Sequence, residues 1–339
     1  MRRGAALLAA AALGAAASLT LIAGPAGAAG GGPSGQATPS TDGSTLGVRA
    51  EVRLSGDVIA SAGTGAMTVS VPPACWWESS GMDAEAFIKY WDDSALANHD
   101  HSYAFWGMPS HSAAEEAVAR QKSGGKQVTW YQYRCRSDIA YEEMLKLNAN
   151  PTNGFFGVPA IYQPVVAGAP GPAAVVSVAD LRDIAQKYMR LLKPTMTRAP
   201  GAGLPAIVQL PTWYWADPDD VKTKLVRAEA GPVWAEVRAD SLSVEFASPA
   251  ASPSSVACAD QAALVRWADG MSESASSCTL TFPQTTGARG SYTVTATNTW
   301  FADWQSSDGG GWRAVPRQPA PLLSQQQLQV AETQVVSGR

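Results

Sequence analysis

Apolar and polar positions alternate from Gly47 onward. Val48, Ala50, Val52 and Leu54 fall on one face and Arg49, Glu51 and Arg53 on the other, the period-two pattern of a half-buried strand. Met67-Thr68-Val69-Ser70-Val71 alternates likewise and stops at Pro72-Pro73. The period then lengthens. Ala86, Phe87, Tyr90 and Trp91 recur at helical spacing over 83–96, with Asp83 in place to cap the helix. A second helix is predicted over about 112–121, where Ser112-Ala113-Ala114-Glu115 has the capping-box spacing, and Gly124-Gly125 ends it. Gln127 to Cys135, QVTWYQYRC, reads as a β-branched and aromatic strand. Residues 148–172, rich in Asn, Pro and Gly, read as loop. Ser177 opens a helix with an apolar stripe of Leu181, Ile184, Ala185, Tyr188, Leu191 and Leu192, stopped by Pro194. Residues 47–200 thus predict a small α+β domain.

A Pro/Gly stretch over 199–205 follows, and the expected linker is 201–206. Beyond it the pattern changes to short strands separated by turn residues, at 206–210, 233–239, 242–246, 262–267, 278–282, 291–299 and 326–335. Seven such strands with hardly any helix predict an antiparallel, immunoglobulin-like β-sandwich over 207–336. The one helical signal is Asp217-Pro218-Asp219-Asp220, an Asp N-cap, a Pro at the first helical position and acids in the first turn. Calcium binding is the functional reading of those acids, but capping alone accounts for them.

The N-terminus changes the picture of where this chain works. Arg2-Arg3, an uncharged run from Ala5 to about Ala23, and the small-x-small triplet Ala26-Gly27-Ala28 predict a secretory signal peptide over 1–28. The alternative is an uncleaved anchor, because the run is almost long enough to span a bilayer. The residues around Arg2-Arg3 do not match a twin-arginine signal, and no Cys stands near the cleavage site to make a lipoprotein. Residues 29–46, AGGGPSGQATPSTDGSTL, have too little apolar surface to offset their ordering entropy and are expected to form a disordered leader. Loss of Arg2 and Arg3 on cleavage takes the net charge from −4 to −6, so no field for nucleic-acid binding exists. Four Cys in an exported chain predict disulfides, for which three connectivities exist. The most economical is Cys75–Cys135 with Cys258–Cys278, one per domain, worth roughly 4 and 3 kcal/mol by chain entropy. No close Cys/His spacing supports zinc.

Leu210-Pro211-Thr212-Trp213-Tyr214-Trp215, Ser277-Cys278, Tyr292-Thr293-Val294-Thr295-Ala296-Thr297, Trp300, Trp304 and Val330-Ala331-Glu332-Thr333-Gln334-Val335 occur in this order. In combination they resemble poorly characterised secreted actinobacterial proteins that end in a PKD-like (polycystic-kidney-disease-type), immunoglobulin-like domain. The resemblance covers 207–336, and more faintly Pro72-Pro73-Ala74-Cys75-Trp76-Trp77. The W-x-x-G-D-G turn of PKD domains is absent, its nearest match being Trp304-Gln305-Ser306-Ser307-Asp308-Gly309. The resemblance implies an Ig-like fold and no particular activity.

Signatures of common enzymes are missing: no G-x-S-x-G, H-E-x-x-H, P-loop or dinucleotide fingerprint occurs. Ser123-Gly124-Gly125-Lys126 matches S-x-x-K, but its glycines would break the helix that such a serine needs, and no K-T-G follows. His99, His101 and His111, with Asp100 or Glu115 nearby, make a candidate zinc or copper set, against the plainer reading of a polar loop. Asp92-Asp93, Asp138 with Glu142-Glu143, and Asp217 to Asp220 are the carboxylate groups a glycosidase would draw on, although adjacent acids more often mark solvated faces. The 12 tryptophans are the least ordinary feature, clustered as Trp76-Trp77, Trp213-Tyr214-Trp215, and Trp300 with Trp304. Core packing accounts for most. Trp76, Trp77 and Trp213 are the candidate ligand-binding residues, since broad rigid indoles stack on sugars and anchor protein contacts. The expected role is a secreted, cofactor-free, non-catalytic module that binds a cell-wall polymer, a glycan or an extracellular protein. The competing expectation is a secreted hydrolase with its site in 47–200.

Overall fold

The computed structural model describes residues 49–59, 66–97, 107–148, 150, 154, 158–169 and 171–333. The predicted signal peptide, the leader, Val48, His99, Asp100 and His101 lie outside these residues. The architecture is β-rich. One eight-stranded sheet carries most of it, in the order β14 (Arg313–Ala314), β13 (Tyr292–Ser306), β10 (Val233–Ala247), β9 (Lys224–Ala230), β1 (Ala50–Gly56), β2 (Ala66–Val71). Two further strands branch from it: β11 (Ser255–Ala259) pairs with β10, and β15 (Leu322–Leu328) with β13. A three-stranded sheet joins β12 (Thr279–Thr281), β8 (Pro211–Ala216) and β6 (Met196–Ala199). Another joins β3 (Cys75–Asp83), β4 (Val128–Cys135) and β5 (Tyr162–Val166). These sheets are antiparallel; the short pair β7 (Ala206–Ile207) with β16 (Val330–Ala331) is parallel.

The alternation read at the start holds: Ala50, Val52 and Leu54 are fully buried while Glu51 and Arg53 are exposed. Their partners come from the far half of the chain, for β1 pairs with β9 at Leu54–Ala228. The large sheet therefore runs across the boundary expected near residue 205. So does the small one, because β6 pairs with β8 at Arg198–Tyr214.

Strands β10 and β13 are each 15 residues long and cross two cores. On β13 every buried side chain has the same parity: Tyr292, Val294, Ala296, Asn298, Trp300, Ala302, Trp304 and Ser306. On β10 the parity switches, from Ala235, Val237 and Ala239 to Val244 and Phe246. A register shift between Ser241 and Ser243 makes the switch, and it leaves Leu242 52% exposed. A bulge inserts one residue and so keeps both halves of β10 facing the same side. What read as two strands, 233–239 and 242–246, is one strand carrying this defect.

The common face is covered at one end by helix α4 (Val178–Tyr188), whose Leu181 and Ala185 pack with Val237, Trp300 and Trp304. At the other end the small sheet covers it, with Tyr214, Ala216 and Leu280 joining Val244, Phe246, Val294 and Leu328. The opposite face carries ion pairs, among them Arg238 with Asp303 at 2.6 Å and Arg227 with Glu229 at 2.8 Å. Helices α1 (Ala84–Ala97) and α2 (His111–Gly124) pack on β4 and β5 around Phe87 and Trp130, whose rings stack at 3.8 Å.

Several local expectations shift. Asp83 caps α1 through the Ala86 amide at 2.8 Å, but the inward face is Ala84, Phe87, Ile88 and Trp91, with Ala86 exposed. Helix α2 is capped by Ser110, which accepts from the Ala113 amide, rather than by Ser112; its left-handed Gly125 ends it as expected. Ser177 caps α4, yet that helix stops at Tyr188, well before Pro194. There the Tyr188 carbonyl accepts from the Ile59 amide and the Arg190 amide donates to the Asp57 carbonyl, so pairing with the end of β1 captures the chain. The stretch read as loop contains β5, and a helix α3 (Tyr141–Leu147) precedes it. Residues 262–267 are not a strand but a 3-10 turn, Asp260–Leu264, and the strap after it.

Both disulfides have the expected pairing. Cys75 and Cys135 are directly opposed across β3 and β4, with Cα atoms 3.9 Å apart. Cys258 on β11 joins Cys278, the residue before β12, tying the large sheet to the small one. No helix among the described residues is long and apolar enough to cross a membrane.

Candidate functional site

The small sheet has two unlike faces. Tyr214 and Ala216 point into the core, so their neighbours Trp213 and Trp215 point away from it. Cross-strand pairing places Ala199 and Thr279 on either side of Trp213, and Thr197 beside Trp215. These five side chains floor an open groove of about 660 Å³. The segment after β6 forms one wall, with Pro200, Ala202 and Leu204; Leu210 and Pro211 lie at the start of β8; Trp267 stands on the strap. Trp213 is 3% exposed and Trp267 41%, with Trp215 between them. Leu204 and Leu210 are 60% and 52% exposed. A surface this apolar and this concave is the ordinary form of a ligand site.

Two side chains set the geometry through three polar bonds. The Trp213 indole N–H donates to the Val265 carbonyl at 2.9 Å, which fixes the strap two residues before Trp267. Arg198, 6% exposed, donates from Nη2 to the Leu204 carbonyl at 2.8 Å and from Nη1 to the Pro200 carbonyl, so one guanidinium holds both ends of the wall. Burial lowers the Arg198 pKa from its ordinary value, and no carboxylate among the described residues counters it. Burial likewise raises the pKa of Tyr214, its cross-strand neighbour.

Of the candidate ligand-binding residues, Trp213 belongs to this groove. Core packing had been the expected reason for Trp213 and Trp215 sharing a side; the core residue is Tyr214 instead. Trp76 and Trp77 lie on β3, in a different sheet. Trp77 packs on Tyr133 with ring centroids 5.0 Å apart, in a small core with Ala74 and Ile139, and Trp76 stands opposite Arg134. Sequence reasoning missed Trp215 and Trp267. The strand expected over 262–267 takes in Trp267, although its setting, Arg266-Trp267-Ala268-Asp269-Gly270, is a polar turn, and a lone tryptophan in such a stretch is the available signal.

Of the three histidines of the candidate metal set, only His111 is among the described residues. Its Nε2 is 3.0 Å from Asp92 and its Nδ1 3.4 Å from Glu115, at the surface of α1 and α2, with Trp91 edge-on at 4.7 Å. Among the described residues no three His, Cys, Asp or Glu side chains are grouped to hold a metal. The acids of 47–200 are largely paired: Asp138 and Asp180 with Arg136, Glu78 with Arg134, Glu85 with Lys122. In the Asp217 cluster, Asp217 caps the turn α5 (Pro218–Val221) and buried Asp220 accepts the Thr195 amide at 2.5 Å. A second hollow of about 590 Å³ between α4 and residues 316–320 has one acid, Asp183, and it pairs with Arg182 at 2.7 Å. No family model, curated protein or solved structure matches this chain.

Proposed function

We propose that this is a secreted, non-catalytic binding module that holds a cell-wall glycan in the groove of the small sheet. The observation that carries the reading is the convergence of Trp213, Trp215 and Trp267 on one open groove, from β8 and from a strap 52 residues away in sequence. Indoles give a broad, rigid contact at low entropic cost, suited to the apolar face of a sugar ring. The floor is a hydrogen-bonded sheet and the strap is tied to it, so the site is formed before the ligand arrives and little ordering opposes binding. The two disulfides agree with export, and the N-terminal Arg-flanked apolar run supplies the signal. The shared core between the small sheet and the β10, β13 and β15 ends supports an Ig-like sandwich of the PKD-like kind for the C-terminal part.

The test is co-sedimentation of the mature protein with purified bacterial cell wall and with insoluble chitin. Retention that free oligosaccharide competes away, and that Trp215→Ala with Trp267→Ala abolishes at unchanged melting temperature, is the expected result. Retention that survives the double substitution places binding elsewhere and overturns the reading.

A further inference from the structure

The groove has shape without charge. Arg198 pairs across the sheet with Tyr214, and Thr212 with Leu280, so both turn toward the core in which Tyr214 and Leu280 are buried. The side chains left to line the groove belong to Ala, Pro, Leu, Ile, Thr and Trp, and none is charged or carries an amide. Arg266 and Asp269, on either side of Trp267 in sequence, are exposed and stand outside the lining. Trp213 commits its N–H to Val265, so the side-chain polar groups that remain are the indole N–H of Trp215 and of Trp267 and the hydroxyls of Thr197 and Thr279, all uncommitted among the described residues. Beside them Leu204 and Leu210 hold aliphatic surface in water, 60% and 52% exposed.

An accounting of polar groups then selects among glycans. Sugar hydroxyls that lose water without gaining a partner oppose binding, and so few polar side chains cannot serve the hydroxyls of several rings. An ammonium substituent would shed hydration where no lining carboxylate replaces it. An acetamido substituent suits the groove on both counts: its carbonyl accepts from an indole N–H, and its methyl covers an aliphatic side chain.

We infer that the ligand is an N-acetylated glycan, whose ring faces meet Trp215 and Trp267 while its acetamido methyls lie against Leu204 and Leu210. The inference rests on the glycan reading above and adds the substituent that selects among glycans. Saccharides with and without acetyl groups present the same ring faces to the tryptophans, so discrimination between them falls to the two leucines and to the absence of charge.

The test is titration of tryptophan fluorescence in the mature protein with three β-1,4-linked tetrasaccharides that differ only in the substituent at C2. Chitotetraose carries acetamido groups there, cellotetraose hydroxyls, and fully deacetylated chitosan tetraose ammonium groups, at a pH that keeps its amines protonated. Chitotetraose should bind about tenfold tighter than cellotetraose, as burial of two acetyl methyls warrants, and the chitosan probe should bind more weakly than either. Leu204→Ser with Leu210→Ser, at two exposed positions, should bring the ratio of the first two affinities toward one. Equal affinity for chitotetraose and cellotetraose, or the tightest binding by the chitosan probe, overturns the inference and leaves the glycan groove standing. A preference for chitotetraose that survives the double leucine substitution overturns the assignment to Leu204 and Leu210. Failure of all three probes to bind overturns the inference and the glycan reading together.

Discussion

The indole N–H of Trp213 and the carbonyl of Val265 meet at 2.9 Å, and through that bond the floor of the groove holds the strap that carries Trp267. Trp213 is nearly fully buried whereas Trp267 is 41% exposed, so the two tryptophans should fail in different ways. Trp213→Phe leaves the Val265 carbonyl without its donor and should cost about 1–3 kcal/mol, read as a lowered urea midpoint, together with weakened glycan retention. Trp267→Ala should stay within about 0.5 kcal/mol of the parent protein and lose retention outright.

Trp77 behaves as part of the fold. Its ring packs on Tyr133, itself 4% exposed, behind the Cys75–Cys135 bridge. Trp77→Ala should therefore destabilise by about 2–3 kcal/mol, somewhat less than for a fully enclosed aromatic, and leave co-sedimentation unchanged. Loss of retention at unaltered stability would transfer the binding surface to β3.

Gly56 ends β1 where it meets β9. Its φ is +101°, and a Cβ there would lie 2.1 Å from the Leu225 carbonyl oxygen. Gly56→Ala should cost about 2–4 kcal/mol, backbone strain adding to the clash. Gly81 supplies the control: its φ is +73° but nothing stands within 4 Å, so Gly81→Ala should cost only about 1 kcal/mol. Thermal denaturation of the two variants side by side checks the difference.

The bridges close loops with sequence separations of 60 and 20 residues. Replacing both cysteines of a pair by Ala should remove roughly 4 kcal/mol for Cys75–Cys135 and 3 for Cys258–Cys278 on chain entropy. Denaturant titrations of the two double variants should rank them in that order.

Arg136 holds the Asp138 carboxyl below its ordinary range, chiefly by a side-chain hydrogen bond, and also pairs with Asp180 next to the Ser177 cap. A carboxyl with a lowered folded-state pKa contributes stability above its unfolded value and loses it as pH falls toward the folded one. Melting temperature should accordingly decline on the acid side of the ordinary carboxylate range, and Arg136→Gln should flatten that decline.

Much of the fold is legible from local pattern because local physics decides it. Alternation at Ala50, Val52 and Leu54, the caps at Asp83 and Ser177, the Asp217-Pro218 start and the stop at Gly125 each depend on residues a few positions apart. Elements failed to read where a distant partner intervened. Helix α4 ends at Tyr188 because Ile59 and Asp57 bond to the chain there. Strand β10 looked like two because the bulge at Leu242 switches its parity to match β13. Strand β9, which alternates Val226, Ala228 and Ala230 with Arg227 and Glu229, gives little local signal because small alanines offer a weak contrast.

Local pattern already carries the β-rich character, many of the element starts and the disulfide pairing, and it marks tryptophan as the residue to follow. Tertiary structure decided that β1 and β2 join the sheet of the C-terminal half, that Tyr214 rather than Trp213 enters the core, and that Trp267 meets Trp213 and Trp215 across one groove. The reason is physical. Alternation says which side chains share a face, but which face is buried depends on what packs against it. Here the covering surface comes from β10 and β13, and no local pattern in Trp213-Tyr214-Trp215 records it.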